Sequence, residues 1–169
     1  MRLPRRFDDA LMAPPEAAGE IDPALTAMLT AWCAAGAFPR MTEPLRAASI
    51  APRDGLDGAA CALDGSHELT RLGRWPGLAW RLRLLARECF STDAARPHDP
   101  WDCGWWRAGP PSAAAAFRPR RPTLLMVRAP DADAADALLS TLRAASPAYT
   151  RPVRVLVVAA AARTGIERL

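Results

Sequence analysis

The chain contains no lysine: all 22 of its basic residues are arginine. With the heavy alanine content, this reads as the codon bias of a GC-rich genome and needs no functional cause. Net charge is +4, which suits nucleic acid or an acidic partner without requiring either. The four cysteines form no CxxC; the closest two, Cys89 and Cys103, are 14 positions apart. That spacing excludes the usual short metal and redox motifs and predicts reduced thiols in a cytoplasmic protein. No apolar run is long enough to span a bilayer, and Arg2, Arg5 and Arg6 lead into Asp8, Asp9, Pro14 and Pro15 in place of a signal-peptide core. A glycine-rich phosphate loop is missing too: Ala129-Pro130-Asp131 follows Val127, and alanines 159–162 follow Val158. These absences predict no cofactor and no catalysis.

What is present is enough apolar sequence for a core. Half of the 169 residues are hydrophobic, so the chain is predicted to fold as one domain. Seventeen prolines, about twice the usual share of roughly 5%, predict short elements and long connections. The clearest stretch reads strand, helix, strand. Thr123–Val127 and Val153–Val158 are continuous apolar runs that suit strands covered on both faces. Pro122 and Pro152 stand at the strand starts, where a missing N–H costs no central ladder bond. Between them, Pro130–Ala145 has an apolar stripe at Ala135, Leu138, Leu139 and Leu142, with Asp131 as N-cap candidate and Ser146-Pro147 as stop. Such a unit is most often parallel, with an antiparallel pairing left open. The expected class is therefore α/β, a mixed α+β arrangement remaining an alternative, with this unit at the centre of the sheet.

Residues 1–20 read as a flexible or loosely docked arm and 21–169 as the domain. Asp22 and Pro23 open a helix ending at Ala35, with Leu25, Met28, Leu29, Trp32 and Cys33 on its buried face and Gly36 just past its end. Thr42–Ile50 reads as a second short helix. The pair invites a helix-turn-helix reading, which the glycine-rich segment 52–58 opposes. Asp64-Gly65, between Ala59–Leu63 and Ser66–Leu72, signals a β-hairpin that would put His67 and Glu68 on opposite faces. Leu78–Phe90 fits helix or strand; length and composition favour helix, with Arg81, Arg83 and Arg87 on a partly solvated face. Asp93–Arg120 reads as a long irregular stretch.

Four constellations could carry chemistry. His98, Asp102 and Cys103, with His67 or Cys89, could supply zinc ligands, though no established motif spacing is present. Cys103 with His98 or His67 could make a thiol nucleophile and base. Asp131, Asp133 and Asp136 could hold a divalent cation but fit a capped helix start better. The densest set is Trp101, Trp105, Trp106, Arg107, Arg118, Arg120 and Arg121. Tryptophan and arginine anchor protein interfaces; aromatics among arginines also stack on and neutralise single-stranded nucleic acid; and tryptophans folded over a sheet are simply core. The sequence expectation is a small bacterial-type accessory or adaptor protein that binds a protein partner through this set. The alternative is nucleic-acid binding through Arg81, Arg83, Arg87, Arg118, Arg120 and Arg121. A cysteine- or metal-centred enzyme comes third.

Overall fold

In chain order the elements are β1 (Met12–Ala13), α1 (Pro23–Ala34), β2 (Leu45–Ile50), α2 (Leu56–Leu63), β3 (Asp102–Trp106), α3 (Pro111–Ala116), β4 (Thr123–Arg128), α4 (Ala132–Ala145), β5 (Val153–Val158) and β6 (Glu167–Arg168). The computed structural model describes residues 11–16, 21–38, 40–64, 79, 101–107, 109, 111–128, 132–160 and 165–169. The six strands form one sheet in the order β1-β3-β4-β5-β2-β6. Only β1 against β3 is antiparallel among the described pairs.

The strand–helix–strand unit stands where the sequence puts it. β4 and β5 pair in parallel from Thr123↔Val153 to Arg128↔Val158, at the middle of the sheet. Residues 123–127 and 153–157 are buried because both faces of the sheet are covered. Alternation divides them. Leu124, Met126 and Leu156 join a core with Leu25, Leu29, Trp32 and Cys33 of α1 and Leu56, Ala59 and Ala60 of α2. Leu125, Val127, Val153, Val155 and Val157 join a second core with Ala114 of α3 and Ala135, Leu139 and Leu142 of α4. The result is a three-layer α/β domain. No described helix is long and apolar enough to cross a membrane.

Prolines set the strand starts. The carbonyl of Pro44 accepts from Val153 N at 2.8 Å, that of Pro152 from Thr123 N at 2.9 Å, and that of Pro122 from Asp102 N at 2.8 Å. Each proline thus begins the ladder with its acceptor at the one place where its missing donor is harmless. α1 matches its sequence signals. Asp22 Oδ1 accepts from Ala24 N at 2.9 Å and Leu25 N at 3.0 Å, and Gly36 takes φ 66° beyond the C-cap.

Three local expectations fail. The segment 45–50, expected as helix, is strand β2, paired with β5 along its whole length, so the helix-turn-helix reading falls with it. Leu-Arg-Ala-Ala-Ser-Ile has good helix propensity, but the slot between β5 and β6 decides the outcome. Ala59–Leu63, expected as a hairpin arm, is the second half of α2; Asp64 N closes it on Ala60 O at 2.9 Å. Its partner arm, 66–72, and the segment 78–90 lie outside the described residues apart from position 79. The stretch 93–120 is not irregular throughout, since it contains β3 and α3. Asp-Cys-Gly-Trp-Trp is a poor strand former by composition, and Gly104 explains why glycine sits there: a Cβ would lie 2.7 Å from Ala13 O and 3.0 Å from Met12 Cε. Part of the segment read as an arm is thereby built into the sheet, with Leu11 and Met12 buried and Arg107 N donating to Leu11 O.

Candidate functional site

Strands β2, β3, β4 and β5 are parallel, so their carboxyl ends share one edge of the sheet. The chain leaves β2 for the α1/α2 layer, and β3 and β4 for the α3/α4 layer. Winding therefore reverses across β5. In open α/β sheets, ligands gather outside the carboxyl ends at such a reversal. Directly at the reversal, the β5 and β2 exits are joined by Ala159 N to Ile50 O at 3.0 Å.

At the same edge, Trp105 ends β3 half-buried. Its indole N–H donates to Asp57 Oδ1 at 2.6 Å, and that oxygen also accepts from Glu16 N at 3.2 Å. Asp57 lies in the first turn of α2, where the helix dipole favours a carboxylate. The guanidinium carbon of Arg128, the last residue of β4, lies 4.4 Å from the centre of the Trp105 ring, a cation–π contact. Arg128 and Arg107 are both exposed.

The β2–α2 connection is Ala51-Pro52-Arg53-Asp54-Gly55, with Gly55 at φ 81°. It occupies the position a phosphate loop would take, but its chemistry is unsuited to that role. Arg53 turns to Asp22 at 3.1 Å, and Asp54 and Asp57 bring negative charge to the helix start.

The structure separates the Trp/Arg set. Trp105, Trp106 and Arg107 reach the carboxyl edge, Trp105 packing on the α1/α2 side and Trp106 on the α3/α4 side. Trp101 lies at the opposite, amino edge, buried, bridged to Asp64 and edge-on to Phe38 with centroids 6.5 Å apart. Arg121 is buried at that edge and pairs with buried Asp102 at 3.4 Å. Arg118 donates to Ala115 O at 2.8 Å and Phe117 O at 2.7 Å, capping the end of α3, and Arg120 is exposed.

The thiol and metal sets lose their histidines and Cys89, which lie outside the described residues. Cys103 is buried, and desolvation holds its thiol well above the usual range, with Asp64 adding to the effect. Burial likewise pushes Cys33 up to about 12, against the opposing pull of Arg154. Such thiols stay protonated near neutral pH and are poor nucleophiles. Asp102 and Cys103 are consecutive in β3 and point to opposite faces. Among the described residues, no group of three or more His, Cys, Asp or Glu is placed to hold a metal. Asp133 sits in the first turn of α4; Asp131 lies outside the described residues.

Three residues that shape the two edges of the sheet were not singled out from sequence: Asp57, Arg128 and Arg154. Arg154 is fully buried in β5. Its Nε donates to Cys33 O at 3.1 Å, one Nη to Ala35 O at 2.6 Å, and the other to Glu43 O and Val153 O, each at 3.1 Å. It thereby satisfies the carbonyl end of α1. A lone arginine inside Val-Arg-Val-Leu-Val-Val was the available signal. Comparisons with protein-family models, curated proteins and solved structures gave no match.

Proposed function

We propose that the protein is a non-catalytic accessory protein that binds a protein partner at the carboxyl edge of its sheet, through Trp105, Trp106, Arg107 and Arg128. The supporting observation is the Trp105–Arg128 pair. An aromatic and a guanidinium, two residue types that dominate interface energetics, meet at the carboxyl edge of the sheet, on β3 and β4, to one side of the reversal of winding at β5. Trp101 and Arg121 leave the binding set because both are buried in the fold. Arg118 and Arg120 stand at the other edge.

The test is partner capture with charge-reversed exposed arginines, folding being checked by circular dichroism. Arg107→Glu with Arg128→Glu is expected to lose the partner. Arg118→Glu with Arg120→Glu is expected to keep it. A folded carboxyl-edge variant that retains every wild-type partner would remove the reading.

A further inference from the structure

The geometry points to Arg128, with Arg107 beside it, as the docking point for a side-chain carboxylate of an acidic partner segment. This rests on the partner-binding reading above and names the chemistry that the edge recognises. Arg128 is exposed where β4 leaves the core, and residues 123–127 before it are buried. It is held by a chain of contacts rooted in the fold: Asp57 at the start of α2 fixes the Trp105 indole, and the indole face carries the guanidinium. Among the described residues, its guanidinium and that of Arg107 have no carboxylate partner, whereas Arg46 has two and Arg53 and Arg121 have at least one each. Continuing the β3–β4 register by two residues beyond Trp105↔Met126 brings Arg107 level with Arg128. An arginine with its position fixed and its N–H donors uncommitted is suited to bidentate carboxylate recognition.

The surroundings favour a short acidic segment over nucleic acid. Exposed Glu16 and Asp54 and half-buried Asp57 lie at the same edge, and Arg53 is already neutralised by Asp22. A phosphate backbone carries its charges at every link and needs several successive cationic contacts, which this edge does not supply, whereas a flexible acidic peptide can seat one side-chain carboxylate and turn the others away from those carboxylates. A single carboxylate needs only the arginine spot.

The test uses the full chain in fluorescence-anisotropy titrations with two labelled probes, octaglutamate and an oligothymidylate of equal length. Octaglutamate is expected to bind more tightly than oligothymidylate. Arg128→Gln is expected to weaken octaglutamate about ten-fold, the loss of a charged hydrogen bond. Arg128→Lys should also weaken it, because it keeps charge but loses the fork. Trp105→Phe should fall between wild type and Arg128→Gln, since it keeps a ring but lacks the N–H to Asp57. Arg120→Gln, at the other edge, should match wild type. Octaglutamate binding that is absent, or unchanged in folded Arg128→Gln, would overturn the assignment, and so would tighter oligothymidylate binding. If a captured partner is lost from the Arg107→Glu/Arg128→Glu variant while octaglutamate titrates flat, the acidic assignment fails and the partner-binding reading stands.

Discussion

The two edges of the sheet use the same residue types for opposite ends. At the amino edge Arg154 and Arg121 are buried and Trp101 is packed into the core. At the carboxyl edge Arg107 and Arg128 are exposed and Trp105 is half-buried. The cause is helix direction. Helices in a parallel α/β layer run opposite to the strands, so their carbonyl ends lie at the amino edge and their N–H ends at the carboxyl edge. Carbonyl ends need donors. Arg154 serves the end of α1, and Arg118 serves the end of α3. N–H ends take acidic groups instead, and here Asp22 and Asp57 fill that role. Arginine at the carboxyl edge has no such structural duty. The sequence neighbours of Arg154 and Arg128 do not reveal their different duties, but the strand end on which each stands does.

The largest effect expected from breaking this contrast is at Arg154. Arg154→Ala removes the donor to four backbone carbonyls, those of Cys33, Ala35, Glu43 and Val153. Buried acceptors left without partners, plus the cavity, should cost about 3–5 kcal/mol in urea unfolding. Arg154→Lys should recover only part, because one ammonium cannot reproduce the fork. A loss below about 0.5 kcal/mol in Arg154→Ala would show that the carbonyl end of α1 does not depend on this side chain.

Legibility from sequence follows the same physics. β4, α4, β5 and α1 could be read because their apolar spacing and their proline or aspartate punctuation agree. β2 and α2 could not, because alanine-rich segments fit either state and the decision lay with neighbours distant in the chain: β5 for Leu45–Ile50, and the α1-facing core for Ala59 and Ala60. β3 was hidden by glycine at a position where only the approach of β1 makes sense of it. For the site, the tryptophans and arginines were identifiable as types. Their division between two edges required the register, and so did the pairing of Trp105 with Arg128, 23 positions later in the sequence.

A smaller effect is expected from pH. Burial raises the Cys33 thiol from its ordinary 9.0 to about 12, with Cys103 shifted the same way. A thiol whose folded value is raised ionises first in the unfolded chain. The folded state then binds more protons than the unfolded one, and stability falls as pH rises between those two values. The expected slope is about 1.4 kcal/mol per pH unit for each such thiol. Urea midpoints should therefore be flat from pH 6 to 8 and decline above about pH 9, and Cys33→Ala should make the decline shallower. An unchanged midpoint at pH 10 would mean that the thiols reach water, and that the amino-edge core opens more readily than its burial implies.

The smallest effect is the most telling for function. Arg128→Gln should leave the unfolding free energy within about 1 kcal/mol of wild type, because the residue is exposed and an exposed cation–π contact contributes only about 0.5–1 kcal/mol. The indole should keep its bond to Asp57, so Trp105 remains in place. Near-ultraviolet circular dichroism reports only the indole environment, so the deciding measurement is the urea midpoint itself. A loss comparable to that of Arg154→Ala would make Arg128 a second structural clamp and erase the difference between the edges. Near-neutral stability joined to weakened carboxylate binding would instead fix the division of labour: Arg154 and Arg118 at the amino edge hold helix ends, and Arg128 is left for a partner.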